Sequence, residues 1–287
     1  MNRPGILVMA HGGGPEWDGR INAALKPLRD RVPVALALGM ADPGTLQAAL
    51  DSLAERRVNN VAVVRLFVSG TAFLHPTEFL FGLRSDPPRR AMVGHRMVDG
   101  SELQPLATSG RILLTREGLA GSGEVAGILL DRIGAVGVRP RETGVLLLAH
   151  GMGVGAENEH LIEAMNEGAH TLRSAGYAEV RVAALREDWA GPRAEAEREI
   201  RAAVTAMAEQ GRNAVVIPYR VSGFGPYAKV LDGLEYVATE GFLPHQLITQ
   251  WILARATAAF CSAGLASPLA TCEKAAAEPA SPPAQPQ

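Results

Sequence analysis

Two histidines and a glutamate in the first part of the chain have the types and spacing for metal or proton chemistry. His11 closes the apolar run "GILVMA" and is followed by three glycines, which allow close approach of a ligand. His75 opens the stretch "HPTEFLFGL", and Glu78 lies one helical turn further on, on the same face. Two imidazoles and a carboxylate at the mouth of a cleft can bind a divalent metal. Imidazole also takes up protons near neutral pH. The spacing is not that of a compact motif such as HExxH, so the pairing depends on the fold.

The elements that must carry these residues follow from periodicity. "GILVMA", "VPVALAL" and "NVAVVRLFV" are short, continuously apolar runs, the pattern of strands buried on both faces. "RAMVGHRMV" reads as a fourth strand. Helical spacing separates them. In "DPGTLQAALDSLAERR", Asp42 is placed to cap, Pro43 sits in the first turn, and Leu46, Leu50 and Leu53 line one face. Pro27 argues for a kink or an early end in the first helix. This alternation predicts an α/β fold with parallel sheets. In such a sheet, ligands sit beyond the carboxyl ends of the strands. His11 and His75 both fall there, on the first and third strands.

The second half repeats the order. "GVLLLAHGMG" copies "GILVMAHGGG", and "RVSG" copies "FVSG". One internal duplication into two similar α/β lobes is the simplest account. The expected division is an N-terminal lobe over 1–120, a connecting helix and linker over 121–143, a C-terminal lobe over 144–265, and a disordered tail over 266–287. The halves are not equivalent. The second keeps His150, but Pro226 and Tyr227 stand where a second histidine would be needed, so one active site is expected, in the first half. His150 is expected to be a buried turn residue. His95 and His245 are expected to be capping or surface residues, and Trp17 and Trp189 to serve packing.

Bulk composition narrows the function classes. Of 287 residues, 28 are basic and 30 acidic, a balance that points to no nucleic-acid or membrane partner. No segment offers about 18 consecutive apolar residues, and the N-terminus does not read as a signal peptide. Cys261 and Cys272 are too few for a disulfide framework and lack CxxC spacing, which fits a reducing compartment and a cytoplasmic location. "AHGGG" is similar to an oxyanion-hole loop of esterases. No G-x-S-x-G elbow accompanies it, because Ser69, Ser109, Ser222 and Ser262 all lack a glycine two positions earlier. A P-loop and a G-x-G-x-x-G fingerprint are also missing.

The duplicated strand with Ala-His-Gly, the segment "ADPGTLQAALDSLAERRVNNVAVVRLFVS" and the "HPTE" after it resemble the class II tetrapyrrole chelatases of the CbiX and SirB type, which act on sirohydrochlorin. The resemblance runs over nearly the whole chain apart from the join and the tail. It implies two α/β lobes around a cleft that holds the macrocycle. It also implies a lyase of cobalamin or siroheme biosynthesis that inserts cobalt or iron into sirohydrochlorin or a related tetrapyrrole. By matching position, His11 and His75 become metal ligands and catalytic residues, with Glu78 as a further proton acceptor or an orienting partner for His75. The metal (Co2+, Fe2+ or Ni2+) is substrate, and no tightly bound cofactor is implied. The partners are the tetrapyrrole and the metal ion. Arginine suits the ring's carboxylates. Arg65 and Arg220, near the ends of equivalent strands, are the leading candidates, followed by Arg84, Arg89 and Arg90. Three positions depart from the family: Gly13 where serine is usual, a longer stretch from Ser69 to His75, and Arg65 where proline is common. A non-catalytic metal or tetrapyrrole carrier of the same fold is the alternative. An unrelated small-molecule α/β enzyme is a third possibility.

Overall fold

The computed structural model describes residues 2–93, 96–177 and 179–272. These form two compact units, one of residues 2–119 with 249–272, the other of residues 120–248.

In the first unit, β1 (Pro4–Ala10), β2 (Val34–Leu38), β3 (Asn60–Leu66) and β6 (Arg111–Leu114) form a parallel sheet in the order β2-β1-β3-β6. β1 lies centrally, with Ala10 opposite both Leu38 and Leu66, so its carboxyl end is flanked by those of β2 and β3. The strands are apolar because both faces are covered. Leu7, Met9, Val61 and Val63 pack with Leu46, Leu50 and Leu53 of α2 (Pro43–Glu55) and with Phe79 and Leu80 of α3 (Leu74–Leu80). Asp42 caps α2 as its sequence position requires, accepting from the Thr45 N–H at 3.0 Å. The first helix, α1 (Pro15–Arg29), continues past Pro27.

The segment read as one fourth strand is instead two antiparallel strands, β4 (Arg90–Val93) and β5 (Arg96–Asp99), paired outside the main sheet. Arg90, Arg96 and Met97 are exposed, a load that a two-sided buried strand cannot carry. The fourth strand of the sheet is β6, inside the stretch read as the join. His95 lies outside the described residues, as do residues 273–287 of the expected tail.

The second unit has its own sheet, in the order β10-β9-β7-β8, from β7 (Thr143–Ala149), β8 (Glu179–Ala184), β9 (Asn213–Pro218) and β10 (Val237–Ala238). Its order matches the first, with β7 in the place of β1 and β9 in the place of β3. Leu146, Leu148 and Val216 pack with Ile200 and Val204 of α6 (Ala190–Glu209) and with Tyr227 and Val230 of α7 (Tyr227–Val230). The 121–143 segment is part of this unit. Its helix α4 (Gly123–Val136), capped by Ser122, buries Val125, Ile128, Leu129 and Ile133. Leu129 reaches Gly168 of α5 (Gly155–Ser174), where a Cβ would come within 2.7 Å of it.

From Thr249 onward the last helix, α8 (Gln246–Ser262), belongs to the first unit, not to the C-terminal lobe expected over 144–265. Thr249 Oγ1 donates to Ala24 of α1 at 2.8 Å, and Arg111 donates to Ala263. Cys261 and Cys272 are bonded to each other, so they carry no argument for a reducing compartment. Among the described residues no helix is long and apolar enough to cross a membrane.

Candidate metal centre

β1 and β3 are hydrogen-bonded neighbours; His11 follows β1 directly, and His75 lies in α3, which the loop after β3 leads into. His11 is the first residue after β1, and its ring is exposed. Its Nδ1 lies 2.6 Å from the Gly12 carbonyl. A carbonyl only accepts, so Nδ1 carries the proton and Nε2 keeps a lone pair. The turn beneath is fixed by the Gly13 N–H donating to Asp18 of α1 at 3.2 Å. Trp17 lies with its ring centroid 6.2 Å from that of His11. Gly13 has no room for a side chain, because a Cβ there would stand 2.7 Å from Trp17 Cγ.

His75 is the second residue of α3, and its side chain is 39% exposed. Here Nε2 faces the Asp86 carbonyl at 3.1 Å and the Asp86 carboxylate at 3.4 Å. Nε2 is thus the protonated nitrogen, and Nδ1 is the one left with a lone pair. The two histidines present opposite nitrogens, each held by an acceptor on its far side, as in metal-ligating imidazoles. Asp86 is in turn fixed by Arg84 Nε at 2.8 Å. That hydrogen bond is the main reason its carboxyl lies below the ordinary carboxylate range.

Glu78 does not orient His75. Its carboxylate is 12% exposed and receives Arg116 at 2.8 Å and Arg84 at 3.5 Å. The orienting acid is Asp86, eleven positions beyond His75. Asp86 sits in the polar loop "RSDPPRR", where sequence spacing gives no link to the histidine. Among the described residues no group of three or more His, Cys, Asp or Glu side chains could hold a metal ion. His11, His75 and Glu78 are therefore not a preassembled three-ligand set.

The arginine expectations change as well. Arg65 cannot reach a ring carboxylate, since it is fully buried and donates to backbone carbonyls. Arg220 lies two residues beyond β9, pairs closely with Glu187, and sits over the Tyr227 ring at 5.5 Å. Arg84 is held by Asp86 and Glu78, whereas Arg89 and Arg90 are exposed.

In the second unit His150 repeats the geometry of His11, with Nδ1 2.8 Å from the Gly151 carbonyl and Trp189 edge-on at 5.9 Å. It is not buried as expected, for its side chain is 41% exposed and its Nε2 lies 3.2 Å from Asp188. No second histidine follows β9, where Pro226 and Tyr227 stand. His245 caps α8, its Nδ1 accepting from the Leu247 N–H at 3.2 Å while Nε2 meets Asp131. A cavity of about 260 Å³ lined by Leu50, Leu53, Val58, Val61, Thr108 and Ile112 contains none of these site residues.

No protein-family model and no curated protein sequence matches the chain. Solved structures do match in fold, two structures of SirB among them. SirB from Bacillus subtilis with Fe3+ is 14% identical, with a TM-score of 0.65 over 91% of this chain and 97% of that one. The sirohydrochlorin chelatase SirB from Bacillus subtilis subspecies spizizenii, in complex with cobalt, is 13% identical, with a TM-score of 0.57 over 90% of this chain and 95% of that one. Two parallel α/β units of matching strand order, spanning nearly the full length of both SirB chains, give this protein the fold of the SirB-type chelatases.

Proposed function

We propose that the protein inserts a divalent metal, cobalt or iron, into sirohydrochlorin or a related tetrapyrrole. The observation that carries this reading is that His11 directly follows β1 and His75 lies in α3, the helix that follows the neighbouring strand β3, each with a ring nitrogen tied back to the protein. The fold supports it, because the two SirB structures contain Fe3+ and cobalt.

Insertion has two obstacles. Two pyrrole N–H protons must leave the ring, and the entering metal must exchange its waters for ring nitrogens. A neutral imidazole lone pair serves both needs, as a metal ligand and as a proton acceptor. His11 offers Nε2 and His75 offers Nδ1. Both rings are open to solvent, as suits a metal that is substrate and must leave, unlike a closed structural zinc site. The ring nitrogens take the metal, the two protons pass to the imidazoles, and solvent removes them. Glu78 is held by the guanidinium groups of Arg84 and Arg116. Arg89 and Arg90, exposed in the segment beyond Asp86, are the candidates for binding ring carboxylates.

The test is an absorbance assay with sirohydrochlorin and Co2+, Fe2+ or Ni2+, run beside His11→Ala and His75→Ala. Each substitution is expected to cut insertion by at least about tenfold with the fold intact. Unchanged rates would remove the site. A second reading, a metal or tetrapyrrole carrier without turnover, draws on the lack of a three-ligand group among the described residues. Metal binding without steady-state insertion would select it.

A further inference from the structure

We infer that Arg65 is a positioning residue for His75, a buried guanidinium that fixes the loop carrying the histidine without touching metal or ring. This rests on the chelatase reading above.

Arg65 is the penultimate residue of β3 and is fully buried. A buried charge must be compensated by well-placed partners. Its partners are backbone carbonyls of the loop between β3 and α3 and of the segment after β6. Nη1 donates to Gly70 at 2.8 Å and to Arg116 at 3.3 Å, and Nη2 donates to Ala72. The guanidinium also lies over the Phe67 ring at 6.0 Å. Burial lowers its pKa to about 10, with Glu78 the largest opposing influence, so it stays protonated at neutral pH.

The loop needs such restraint. Phe73 has φ 54, a left-handed conformation that a bulky residue adopts only when its surroundings impose it. Gly70 is pressed against the 116–118 segment, where a Cβ would meet the Arg116 carbonyl at 2.9 Å and the Gly118 nitrogen at 3.1 Å. The Phe73 carbonyl accepts from the Thr77 hydroxyl at 2.6 Å, which links the loop to the first turn of α3. His75 lies inside this link, three residues after Ala72, so a shift of the loop displaces the imidazole.

The two units differ at this position. Met9 of β1 faces Arg65, and in the second unit the corresponding Leu148 of β7 faces Pro218. The arginine therefore occurs in the unit that has a second histidine, and proline occurs in the unit that has Pro226 and Tyr227 instead.

The experiment combines Arg65→Met and Arg65→Lys with His75→Ala. Amide hydrogen exchange over 69–77 reads the loop, and Co2+ titration followed by d–d absorbance reads the site. In Arg65→Met, exchange should quicken in 69–77 but not in β1 or the second unit. Its Co2+ affinity should fall roughly 10–100-fold, as for other outer-sphere partners of metal-binding histidines. Arg65→Lys should recover part of that loss. In the His75→Ala background, Arg65→Met should add no further loss, because both changes act through the same ring. Additive losses, unchanged loop exchange, or failure of both Arg65 variants to fold would overturn the inference. A wild-type chain that binds no Co2+, or a His75→Ala chain that binds it normally, would instead sink the chelatase reading, and the exchange measurement would still report on the loop.

Discussion

His11 and His75 use opposite ring nitrogens, and the acceptor behind each one sets the difference. The Gly12 carbonyl follows from chain geometry, so His11 needs no outside help. His75 depends on Asp86, whose backbone and side chain both face Nε2. Asp86→Ala keeps the carbonyl and loses the carboxylate, so Co2+ affinity should fall a few-fold, less than the roughly 10–100-fold loss of a complete outer partner. Isothermal titration at fixed pH checks this. The sign of the pH effect follows from the lowered pKa of Asp86. Its contribution is complete above the ordinary value of 3.8 and disappears only as pH falls through the lower folded value. Asp86 should therefore contribute no inflection to metal binding between about pH 5 and 8. Gly13→Ser makes a separate test. A Cβ would collide with Trp17, so the indole must move away from His11. The expected result is altered Trp17 fluorescence together with weaker metal binding. An unchanged spectrum would show that the turn yields instead.

At the scale of elements, the strands and helices that hold the core were readable because burial on both faces leaves a continuous apolar run. β1, β2, β3, β7 and β9 all show it, and α2 shows a cap followed by a leucine stripe. Replacing the cap, Asp42→Ala, should cost about 1 kcal/mol in denaturant unfolding. A loss below a few tenths would mean that Pro43 and packing suffice to start the helix. β6 is not legible in the sequence, because "RILL" is short and lies in a polar stretch. β4 and β5 read as one strand because two short, mostly exposed strands close together in the chain resemble a single longer run. α3 was placed correctly by "HPTE", but its entry loop was not legible. No pattern says that Phe73 turns left-handed or that an arginine from β3 lies beneath it.

For the whole molecule, the duplication is visible both in the repeated Ala-His-Gly strand and in the matching strand orders. The two units do not carry the same residues, since Pro226 and Tyr227 stand in the second where the first has His75. His150→Ala should leave metal insertion within about twofold of wild type, whereas His75→Ala should not. A large loss at His150 would place the reaction in both units. Trp251, Ile252 and Phe260 of α8 are buried, which ties that helix to the fold. Trp251→Ala should cost about 3–5 kcal/mol, measured by equilibrium unfolding. The sequence alone was enough for the α/β class, the repeat, and the placing of His11 after a strand, because hydrophobic periodicity and glycine turns are local signals. Tertiary structure decided what each polar side chain meets. It buried Arg65, gave Glu78 to two arginines and Asp86 to His75, joined Cys261 to Cys272, and moved the chain after Thr249 into the first unit. Those outcomes depend on contacts between residues far apart in the chain, and no local pattern encodes them.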